Sequence, residues 1–110
     1  MLIQEVILEN FMSYEYARVP FKNAFFDVVF AFTVLQNMPK PVETLKELNR
    51  VAKPNGKVVV TGLKKAFSLN TFIDTLEGSG MKIISFVDNE DLKCYIATLT
   101  TSANHQISLN

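Results

Sequence analysis

Few side chains in this sequence are equipped for nucleophilic or acid–base work. Its 110 residues hold one cysteine, Cys94, and one histidine, His105. A lone cysteine excludes a disulfide framework within the chain and a cysteine-clustered zinc site. A lone histidine near the C-terminus excludes a His-rich metal site and a Ser–His–Asp triad within one chain. Cys94 lies in a β-rich run between Lys93 and Tyr95, with no basic helix start beside it, and reads as a small core residue. Asp27 opens a long apolar run, a place for turn-side hydrogen bonds rather than catalysis. Gln36 and Asn37 follow the same run, where amides can face a ligand or cap a loop. Lys64-Lys65 reads as a solvated pair. No metal site is expected.

These residues are carried by a regular succession of elements. Leu2–Leu8 is rich in branched side chains, Glu9–Ser13 interrupts it, and Tyr14–Phe21 forms a second short run closed by Pro20. Two such runs across a polar turn predict a β-hairpin over residues 1–21. Residues 25–35 are apolar on both alternations, the pattern of a strand buried in a parallel sheet. Pro41 suits the first turn of a helix. Val42, Leu45, Leu48 and Val51 then set an apolar stripe on a helix over 41–53. Glu43, Lys46, Glu47 and Arg50 lie opposite it at pairing distances.

Pro54-Asn55-Gly56 is turn chemistry, and 57–61 is a second buried-type strand. Ser68 caps a helix over 68–77 whose inner face is Leu69, Phe72, Ile73 and Leu76. Gly78 and Gly80 end it. Strands follow at 81–87 and 92–100, joined by the short charged turn Asp88–Asp91. Strand–helix alternation implies parallel strands with right-handed crossovers. A strand that returns through a short turn must run antiparallel. The expected fold is therefore α/β, mostly parallel with an antiparallel C-terminal strand, in one domain over 1–100. A disordered tail is expected at 101–110.

Composition narrows the function class. With 11 basic and 11 acidic residues the formal charge is zero, so no basic field for nucleic acid is present. The longest apolar run, 28–35, is far short of the ~20 residues of a membrane helix. The N-terminus carries Glu5 in its apolar stretch and does not resemble a signal peptide. A cytoplasmic protein, away from membranes, is expected.

Three words then align with a known family. Val19-Pro20-Phe21-Lys22-Asn23-Ala24-Phe25-Phe26-Asp27-Val28-Val29 resembles the entry into the fourth strand of class I S-adenosylmethionine-dependent methyltransferases. Phe32-Thr33-Val34-Leu35-Gln36-Asn37-Met38 is similar to the loop that leaves that strand. Glu47–Val58, with Arg50-Val51-Ala52-Lys53-Pro54-Asn55-Gly56, is similar to the family's next helix-to-strand passage. The resemblance covers about residues 15–100 and implies the C-terminal half of a partial, Rossmann-like methyltransferase sheet. It implies S-adenosylmethionine as cofactor. Glu15 would accept hydrogen bonds from the adenine amino group, and Ala31, Phe32 and Thr33 would line the methionine side. Gln36 and Asn37 would face the substrate.

The family's glycine-rich turn after its first strand is missing, since no glycine precedes Gly56. Such a turn lets backbone N–H groups approach a ligand closely, so the chain alone is expected to bind weakly and to be weak or inactive. Met1–Glu15 resembles instead the opening hairpin of the SMC and RecF-like ABC ATPases, but no P-loop follows. An ATPase fragment is the least favoured reading. The alternative to a methyltransferase is a non-catalytic interaction module. A half sheet leaves a strand edge and a face bare, which predicts a homodimer through the exposed edge and the N-terminal hairpin.

Overall fold

The computed structural model describes residues 4–9 and 21–101. The second hairpin arm, Glu15 and residues 102–110 lie outside the described residues. Five strands form one sheet in the order β1-β2-β3-β5-β4: β1 Glu5–Glu9, β2 Phe26–Phe32, β3 Ala52–Leu63, β4 Lys82–Val87 and β5 Cys94–Thr100. The helices are α1, Pro41–Val51, and α2, Leu69–Gly78. β1, β2 and β3 are parallel, and β5 runs antiparallel between β3 and β4. The short turn before β5 thus places it as its length required.

β1 is a strand and the first arm of the expected hairpin, whose second arm falls outside the described residues. It covers the edge of β2 in parallel, Val6 level with Val29 and Ile7 with Phe30.

Local chemistry accounts for the helices. Pro41 stands at the start of α1, with Glu43 in its first turn and Arg50 in its last, matching the helix dipole at both ends. Arg50 also grips Glu47 at 2.7 Å and donates to Phe21 O and Asn23 Oδ1, which fastens the lead-in to β2. Ser68 accepts the Thr71 N–H at the head of α2.

Three boundaries differ from the sequence reading. α1 stops at Val51 rather than residue 53, because Lys53 precedes Pro54 and is pushed out of helical backbone. Ala52 already pairs with Phe26. β3 then passes through Pro54-Asn55-Gly56 as a bulge. From Phe26–Ala52 to Val28–Lys57 it advances five residues against two in β2. Thr101 fastens this bulge, accepting the Asn55 N–H and donating its hydroxyl to Lys53 O. Thr101 is buried, although it is the first residue of the expected tail. The third change is that β2 ends at Phe32, not residue 35.

Both helices lie on one face. The fully buried strand residues Val29, Ala31, Val58, Val60, Ala97 and Leu99 alternate to that side, with Leu45, Leu48, Phe72 and Leu76 above them. The strand order advances in one direction from β1 to β4. Right-handed crossovers between parallel strands that advance one way must all pass over the same face. Val28, Phe30 and Phe32 point to the other side and are half-buried, and neither α1 nor α2 lies over them.

Candidate functional site

The parallel strands bring the carboxyl ends of β1, β2 and β3 to one end of the sheet. In open α/β sheets that end is where ligands bind, at the point where winding reverses. Among the described residues the crossovers run from β1 through β2 and β3 to β4 without a reversal, so the candidate site is taken as the carboxyl end of the parallel strands.

β2 leaves the sheet through Thr33, which has φ 55°. Left-handed backbone is unusual for a β-branched residue, and three hydrogen bonds hold it. The Thr33 N–H donates to Thr61 Oγ1 of β3 at 3.0 Å. The Thr33 hydroxyl donates to Phe32 O at 2.6 Å, and Asn37 Nδ2 donates to Thr33 O at 2.9 Å. A 3-10 turn over Leu35–Asn37 follows. Val34, Leu35 and Met38 are buried beneath it, so the loop is anchored by its apolar residues, with Asn37 exposed and Gln36 half-buried.

The residues expected at the site have distinct positions. Phe32 and Thr33 stand together at the end of β2, with Gln36 and Asn37 on the turn above. Ala31 is fully buried toward the helices, which leaves only its backbone for a ligand. The polar groups of Thr33 are engaged within the turn, and Asn37 closes it. Gln36 Oε1 is buried with no hydrogen-bond partner among the described residues. An acceptor left in that state costs about 1–3 kcal/mol, and an N–H donor from a ligand would satisfy it. Sequence reasoning missed Thr61, because nothing local marks a strand threonine as the acceptor for a loop 28 residues away.

Asp27 is a clamp rather than a reactive acid. Its Oδ2 accepts the Gln4 N–H at 2.8 Å and meets Lys53 Nζ at 3.5 Å. The Gln4 bond, helped by Lys53, holds its carboxyl below the usual carboxylate range. Lys64 is not simply solvated: it pairs with Asp88 at 2.9 Å and lies over the Tyr95 ring. A groove of about 580 Å³ opens beside it, between α2 and β4, lined by Leu69, Asn70, Ile73, Asp74, Phe86 and Asp88. Among the described residues no cluster of His, Cys, Asp or Glu could hold a metal ion. No described helix is long and apolar enough to cross a membrane.

Comparison with known proteins places this geometry. The family model described as the methyltransferase domain matches residues 3–60. The ubiquinone/menaquinone biosynthesis C-methyltransferase UbiE of Burkholderia vietnamiensis is 42% identical over 62 residues, 50% of this chain and 26% of the relative. Its counterpart from Ralstonia pickettii is 45% identical over 49 residues, 44% of this chain and 20% of the relative. The matched stretch is thus about a quarter of those relatives' length or less. Among solved structures, an S-adenosylmethionine-dependent methyltransferase from Aquifex aeolicus superposes with a TM-score of 0.67 at 19% identity, covering 79% of this chain and 52% of that one. The (4+2)-cyclase SpnF superposes at 0.68 and 15% identity, over 78% and 53%. At such identities the likeness is one of fold.

Proposed function

The chain belongs to the methyltransferase-domain family, and on that premise we propose that it contributes the C-terminal part of an S-adenosylmethionine-dependent methyltransferase fold. The cofactor would lie along the carboxyl ends of β1 and β2. The observation that carries this reading is the Thr33 turn. Strained backbone held by a cross-strand hydrogen bond, at the end of the sheet where ligands bind, is the kind of feature that marks a functional position.

The residues present fit part of the cofactor. The backbone of Ala31 and Phe32 would line one side of it, and the Thr33 turn would shape the floor. S-adenosylmethionine brings its own electrophilic methyl group on a sulfonium that leaves readily, so the protein's share is binding and alignment. The adenine contact that the resemblance implies for Glu15 lies outside the described residues. The absence of glycine before Gly56 limits how closely the backbone after β1 can approach the ligand. Binding is therefore weak, with no turnover by this chain alone, and the methyl acceptor would be met at Gln36 and Asn37. A cytoplasmic location belongs to the same reading.

Titration of ¹⁵N-labelled chain with S-adenosylhomocysteine tests it. Saturable shifts at residues 31–37, with a dissociation constant near ~1 mM, are expected. Shifts confined to the α2–β4 groove, or none at all, would remove the cofactor role. The second reading, a non-catalytic interaction module that dimerises through its edge and N-terminal hairpin, is favoured by the sheet face on which neither described helix lies.

A further inference from the structure

The face of the sheet opposite α1 and α2 is built from Glu5, Ile7, Val28, Phe30, Phe32, Lys57, Val59, Thr61, Ile96, Thr98 and Lys82, as the registers place them. The central residues Phe30, Phe32, Val59 and Ile96 are half-buried, and Ile7 is 54% exposed. Phe30 and Phe32 share a ring contact at 5.8 Å, so the apolar surface is continuous. A contiguous patch of this kind marks an interaction surface.

Among the residues whose side chains are described, the charges of this face, Glu5, Lys57 and Lys82, lie in one row and are divided between its edges and centre. Glu5 is at the start of β1, the first strand of the sheet, and Lys82 at the start of β4, the last. Their row runs Glu5–Val28–Lys57–Thr100–Lys82 through the registered pairs. Four strand spacings, about 19 Å, separate the acid from the outer lysine, so the two cannot pair within one chain.

We propose that this face docks on the same face of a second copy, with the two-fold axis parallel to the strands. That operation turns the sheet over and exchanges its edges while each row keeps its height. Glu5 of one copy then meets Lys82 of the other, twice. Phe30 lies over Thr98, Phe32 over Ile96, and Val59 over its own counterpart. Strands of the two sheets stay aligned, the usual packing of stacked sheets about 10 Å apart. Lys57 meets its counterpart near the axis, but at the rim, where its ammonium group reaches water. Size also favours a second sheet. The face is about 20 Å wide, and one helix, roughly 10 Å across, would cover half of it.

Sedimentation velocity of the full chain at micromolar concentration tests the proposal. A dimer is expected, and Ile7→Lys, at a position already open to solvent, should weaken it at least tenfold. Glu5→Lys and Lys82→Glu should each weaken it several-fold, and the double variant should restore it. Circular dichroism melts establish that each variant is folded, and the two charge variants change only exposed residues. A wild-type monomer, with or without another protein bound to the face, overturns the proposal. So does a dimer indifferent to Ile7→Lys, or a double variant as weak as the two single effects combined. An edge-to-edge dimer through β1 would ignore Lys82→Glu, which separates the two geometries.

Discussion

Gln4 and Asp27 clasp each other. The Gln4 N–H donates to Asp27 Oδ2 at 2.8 Å, and the Asp27 N–H donates to Gln4 O at 2.7 Å. This pair fastens the start of β1, an edge strand held to the sheet among the described residues through β2, to the strand beside it. The carboxylate makes the clasp dependent on pH. Its folded pKa lies below the ordinary value of 3.8, so its stabilisation is present above that range and lost as pH falls through the lowered pKa. Protection of the β1 amides, taken relative to their intrinsic exchange rate at each pH, should fall below about pH 4. Asp27→Asn keeps an acceptor oxygen, and its exchange should lose that pH step. An unchanged step in the variant would assign it to another group.

Thr61 should matter more than a strand threonine on a half-open face ordinarily does. Thr61→Val removes the acceptor of the exposed Thr33 N–H at nearly constant shape, which should cost about 0.5–1.5 kcal/mol. Thr61→Ser should retain most of the stability. Chemical denaturation measures both, and equal stability of the two variants would show that the Thr33 turn holds without its cross-strand bond.

Gly62 is required by packing. A Cβ there would lie 2.3 Å from Cε1 of Phe72, a ring stacked on Tyr95 with centroids 5.2 Å apart. Phe72 is fully buried and has no room to retreat. Gly62→Ala should therefore destabilise by ~1–3 kcal/mol through overpacking. Phe72→Leu in the same chain should recover part of the loss, because contacting residues couple. Strictly additive losses would place the strain elsewhere.

Much of the architecture follows from local pattern. The stripe Leu45–Leu48–Val51, Pro41 at a helix start and the Ser68 cap specify α1 and α2, because each is a matter of neighbours within a turn. The short link Asp88–Asp91 forces β5 to run antiparallel to β4, since a parallel return needs a long crossover. The words around Phe26, Thr33 and Arg50 point to the family before any coordinate is known.

Other features depend on partners distant in sequence. The apolar run 25–35 gives no sign of where β2 stops, because Thr33 turns out of the sheet only where Thr61 can receive its N–H. Pro54-Asn55-Gly56 reads as a chain break, yet pairing on both sides makes it a bulge within β3. β1 carries the residues of a hairpin arm, but its register with β2 is set by the Asp27 clasp and by Val6 beside Val29. The alternation of Phe30 and Phe32 with Val29 and Ala31 suggests burial on both faces. Only the direction in which successive crossovers advance decides that α1 and α2 share one face and leave the Phe30 side to other partners, and that direction is a property of the assembled sheet.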